Sequence, residues 1–105
     1  GEADEDLLKD RRILRDEGFI SVMVVVDSSS GKVVAGPEIT ARGFAEDDEI
    51  FTQVKPKIVA ALDEAARKGT TDTHQLQQVV RRAVGGWVGG KIRRRPMIIP
   101  VVVEA

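Results

Sequence analysis

Six cations fall within fifteen residues and no acid lies among them: Arg81 and Arg82, then Lys91, then Arg93, Arg94 and Arg95. Guanidinium forks and ammonium groups at such density suit the phosphates of a polyanion, and each such contact makes binding fall with salt. The triplet runs directly into Pro96-Met97-Ile98-Ile99-Pro100-Val101-Val102-Val103, a stretch expected to be comfortable only when buried. A structural role competes with phosphate contact: Arg93 to Arg95 could pair with Glu46 to Glu49, or with another domain. The sequence leaves both open.

Little else in the chain carries chemistry. His74 is the only histidine and there is no cysteine, so an ordinary zinc site and a thiol nucleophile are both lacking. Asp47-Asp48 and Asp63-Glu64 are adjacent pairs, and neighbours on a helix point to different sides. Ser28-Ser29-Ser30 has no base beside it. Gly85-Gly86-Trp87-Val88-Gly89-Gly90-Lys91 has the look of a phosphate-cradling loop, but Ile92 stands where a P-loop needs Ser or Thr. We expect these glycines to end a helix and form a flexible hinge bearing Lys91 and the three arginines, with Trp87 in the core.

The elements that must position these groups follow from periodicity. Asp4 to Glu17 reads as a short helix with Leu7, Leu8, Ile13 and Leu14 on one side, closed by Gly18. Phe19 to Asp27 is a strand, apolar almost throughout and therefore covered on both faces or central in its sheet. Asp27 to Lys32 is a turn by its chemistry. The second strand starts at Val33, is interrupted at Gly36-Pro37 and resumes through Arg42, which makes it an edge or bulged strand. Ile50, Val54, Ile58 and Leu62 recur every four residues in a helix that Pro56 must kink or divide. Asp72 caps a second long helix carrying Leu76, Val80, Val84 and Val88, with Gln75 as its capping-box partner. Met97 to Glu104 is the third strand. The fold class is α+β in two layers: a three-stranded sheet with two long helices on one face, plus the short N-terminal helix.

A chain of 105 residues is one domain, with 1–5 read as linker. The formal net charge of −1 hides a split: residues 1–64 hold 15 acids and 8 bases, residues 65–105 hold 2 acids and 8 bases. Such asymmetry speaks to partners rather than to fold. No run approaches the ~20 apolar residues of a membrane span, and the acidic start is unlike a signal peptide. With no initiator Met, we expect a piece of a longer protein, working in the cytoplasm and without a membrane partner.

Three stretches together resemble one family. Leu14-Arg15-Asp16-Glu17-Gly18-Phe19-Ile20, Gly36-Pro37-Glu38-Ile39-Thr40-Ala41-Arg42-Gly43-Phe44 and Arg94-Arg95-Pro96-Met97-Ile98-Ile99-Pro100-Val101 are similar to the C-terminal domain of bacterial ribonuclease J. Richness in Ala, Val and Arg with no Asn has an actinobacterial look. The resemblance implies a parent with a metallo-β-lactamase fold and a β-CASP insert, using zinc as a 5′-to-3′ exonuclease and endonuclease in RNA maturation and decay. It implies no catalytic residue, metal ligand or cofactor in this chain, which would support oligomer formation and activity. Its partners would be the catalytic domains of the same protein and further copies of it. The element order is also that of a type II KH domain, which would make RNA a partner through Arg81, Arg82, Lys91, Arg93, Arg94 and Arg95. The loop Arg67-Lys68-Gly69-Thr70-Thr71, however, lacks the Gly-x-x-Gly clamp of that fold.

Overall fold

The computed structural model describes residues 18–43, 48–92 and 95–105. The N-terminal helix expected over residues 4–17 lies outside them. Three strands, β1 (Phe19–Val26), β2 (Val33–Arg42) and β3 (Met97–Glu104), form one sheet in the order β2-β1-β3. β1 pairs antiparallel with β2, placing Phe19 opposite Arg42 and Met23 opposite Glu38. It pairs parallel with β3 from Phe19 opposite Met97 to Val26 opposite Glu104. The expected α+β sandwich is thus present, with β1 central. Both prolines of the sheet, Pro37 and Pro100, sit in edge strands, where a missing N–H is tolerated.

The interruption at Gly36-Pro37 is a bulge rather than a break. The pairing of β1 with β2 shifts register between Met23 and Val25 and again before Val26, while β2 continues through it. The Gly36–Pro37 peptide is cis. Just beyond the same end of β1, the turn closes on Asp27. One carboxylate oxygen, Oδ1, accepts the backbone N–H of Ser29 at 2.8 Å, the Ser29 hydroxyl at 2.6 Å and the backbone N–H of Ser30 at 2.9 Å. Those donors, the Ser29 hydroxyl first, hold the carboxyl down at about 2.

Pro56 divides the first long helix as its chemistry demands. A 3₁₀ helix spans Asp48–Val54, and α1 runs over Lys55–Arg67 with the proline in its first turn, where its missing N–H leaves no intrahelical bond unmade. α2 covers Thr73–Lys91, and the side chain of its N-cap Asp72 accepts the backbone N–H of Gln75 at 3.2 Å. The glycine pairs do not stop α2. It passes through Gly85-Gly86 and Gly89-Gly90 to Lys91, so the expected hinge is instead helix. Its inner residues Leu76, Val80, Val84 and Val88 are anchored on the core, and that burial outweighs a cost of about 1 kcal/mol per glycine.

The core lies between the helices and one face of the sheet. Alternate residues of β1 (Ile20, Val22, Val24 and Val26) are fully buried against Phe51, Val54, Ile58, Leu62 and the inner row of α2. No polar or charged side chain among the described residues is buried with them. The intervening residues of β1 and β3 point to the other face, which no element of the described chain covers.

Candidate functional site

The uncovered face shows an apolar band built by the parallel register. Met23 lies beside Val101, Val25 beside Val103 and Ser21 beside Ile99. Met23 (45 % exposed), Ile99 (38 %), Val101 (38 %) and Val103 (43 %) are large hydrophobic side chains presented to solvent together. On the β2 side the band is bordered by Glu38, Thr40 and Arg42, opposite Met23, Ser21 and Phe19. Contiguous exposed apolar surface with a polar rim marks a contact site more often than scattered single residues do. The continuous apolarity of β1 therefore has two causes: one set of side chains fills the core and the other faces outward.

The cationic cluster is spread out by α2. Arg81 and Arg82 are exposed in mid-helix, about 100° apart around its axis, and the Arg81 guanidinium donates to Gln78 Oε1 at 3.4 Å. Lys91 ends the helix ten residues on, a rise of ~15 Å. Arg95 is exposed just before β3, and Arg93 and Arg94 lie outside the described residues. Elsewhere on the helices, Glu64 takes Arg67 and, at 3.7 Å, Lys68. Arg67 holds the Glu64 carboxyl below its ordinary value by hydrogen bond and charge.

A second feature escaped the linear reading. α1 and α2 leave a furrow of about 750 Å³ lined by Gln53, Lys57, Ala83, Gly86, Trp87, Gly90 and Lys91. Trp87 is half-buried rather than enclosed; its ring meets Phe51 edge-on at 5.8 Å and 61°, and it forms one wall. Helical spacing correctly directs Trp87 inward, but the juxtaposition with Lys57 depends on how two helices pack.

No reactive constellation accompanies these surfaces. His74 is exposed in the first turn of α2, and no three His, Cys, Asp or Glu side chains among the described residues are grouped to hold a metal. Among the described residues no helix is long and apolar enough to cross a membrane.

The described residues thus form a two-layer α+β module whose sheet leaves one apolar face uncovered among them. The model of the family described as the ribonuclease J C-terminal domain matches residues 6–105, and the chain belongs to that family. It is 38 % identical over 99 residues to ribonuclease J of Mycobacterium tuberculosis strain H37Rv, covering 94 % of this chain and 18 % of that protein. Ribonuclease J of Mycolicibacterium smegmatis is 39 % identical over 93 residues, 89 % of this chain and 17 % of the relative. Ribonuclease J2 of Bacillus subtilis strain 168 is 31 % identical over 107 residues, 99 % of this chain and 19 % of the relative. The chain therefore spans less than a fifth of these relatives' length. The mycobacterial identities accord with the actinobacterial look of its composition.

Proposed function

We propose that this chain is the non-catalytic C-terminal module of a ribonuclease J and that its open sheet face joins a second copy of the same protein. The observation that carries this is the band of Met23, Ile99, Val101 and Val103 across β1 and the edge strand β3. A second copy turned about a two-fold axis would meet the band with the same band, the commonest way such a face is covered. In this reading the parent is a cytoplasmic enzyme of RNA maturation and decay. Hydrolysis and zinc belong to its catalytic domains, whose activity the paired modules support.

Sedimentation of the 105-residue chain across a range of concentrations tests the proposal, with Val101→Glu and Met23→Glu beside the wild type. The wild type is expected to associate and both variants to sediment as monomers with unchanged circular dichroism, since each site is already exposed. A wild-type chain that stays monomeric at high concentration overturns the reading. Hydrolysis of RNA by the chain with added zinc would overturn its non-catalytic part.

A further inference from the structure

We propose that the furrow between α1 and α2 is a binding site for a single-stranded polynucleotide, with phosphates on Lys57 and Lys91 and a base against Trp87. Lys57 comes from α1 and Lys91 from the end of α2, so each helix brings one lysine to the furrow. Neither takes part in an ion pair among the described residues, whereas Glu64 holds Arg67 and Lys68. Trp87, the only tryptophan of the chain, lines the same furrow, meets Phe51 edge-on and keeps a minor part of its ring in contact with solvent. Gly86 and Gly90, one helical turn apart, leave main chain as the floor, and a Cβ built on either meets nothing within 4 Å. Gln53 adds an amide able to donate to and accept from a base edge.

Paired cations beside a partly exposed aromatic ring form the combination that holds single strands without reading their sequence. The indole favours a nucleotide over an acidic peptide, because a carboxylate chain offers it no π-face to stack on. The furrow is open to solvent rather than enclosed, which suits a strand lying across it more than a small ligand buried within it. The site uses Lys91 but neither Arg81 nor Arg82. It lies in the helix layer, away from the open sheet face, and does not rest on the assembly reading.

The test is a titration of the 105-residue chain at low salt with a fluorescein-labelled ten-residue oligouridylate, followed by anisotropy and by Trp87 emission. Binding should quench Trp87 and weaken with salt. The double variant Lys57→Gln/Lys91→Gln should raise the dissociation constant at least tenfold. Loss of two phosphate contacts should flatten the slope of log affinity against log salt by about 1.4. Gly86→Leu, which fills the furrow from an open position, should block binding with the far-ultraviolet dichroism intact. Absence of binding by the wild type, unchanged affinity in both variants, or equal quenching by polyglutamate would each overturn the proposal, the last by assigning the furrow to acidic peptide. Trp87 emission reports the furrow and sedimentation reports the sheet, so either reading can fail alone.

Discussion

Gly36 lies directly over the main-chain oxygen of Met23: a Cβ on Gly36 would stand 2.8 Å from that carbonyl. The backbone at Gly36 also has φ of +85°, which side chains of L-residues rarely adopt. The bulge in β2 thus depends on a residue without a side chain, at the point where the pairing with β1 shifts register. Gly36→Ala is expected to destabilise the fold by well over about 1 kcal/mol, because the clash is with backbone and neither strand can give way cheaply. Urea unfolding of the variant checks this; an unchanged midpoint would mean that the bulge relaxes freely.

Asp27 makes acid stability depend on one turn. Its carboxyl is held at about 2, below the ordinary 3.8, by the hydroxyl and N–H of Ser29 and the N–H of Ser30. A group whose folded value is the lower one stabilises fully above its unfolded value and loses that contribution as pH falls through the folded one. The stability difference between wild type and Asp27→Asn should therefore be constant above pH 4 and shrink between about pH 4 and 2. Urea midpoints across that range measure it.

Gly89 is exposed in the last turns of α2, and a Cβ there meets nothing within 4 Å. Gly89→Ala should stabilise the protein, by up to about 1 kcal/mol, since alanine loses less backbone entropy on entering a helix. A higher thermal midpoint is the expected result. A lower one would show that this end of the helix needs glycine for a contact outside the described residues.

Leu62 is fully enclosed where α1 meets the sheet. Leu62→Ala removes its buried methyl groups and leaves a cavity, at an expected cost of about 2–5 kcal/mol. In a domain of this size that is a large share of total stability. Chemical denaturation gives the value, and a loss below about 1 kcal/mol would mean that the core collapses around the gap.

Much of the fold was legible because each local pattern had one cheap solution. The row of Val54, Ile58 and Leu62 faces the core as its spacing required, and Asp72 caps α2 as a short acidic side chain before a helix should. Pro56 divided the first helix for want of an N–H. The glycine pairs misled because glycine's entropic cost is local, whereas the burial of Val84 and Val88 that outweighs it comes from the sheet below. Trp87 packs against the core as its spacing indicated, but only partly buried, because the distance to its neighbour sets how far a large ring is enclosed.

Taken alone, the amino-acid order determined which segments are strands and helices, which side chains of each must avoid water, and that no thiol and only one imidazole is present. These follow from short-range sterics and from periodicities of two and 3.6 residues. Tertiary structure decided that β3 runs parallel beside β1 instead of joining β2, and so that Met23 meets Val101 in an open apolar band. It also brought Lys57 and Lys91 to one furrow from segments more than thirty residues apart. Both outcomes depend on which surfaces pack against each other, and that is fixed by burying the whole apolar surface at once.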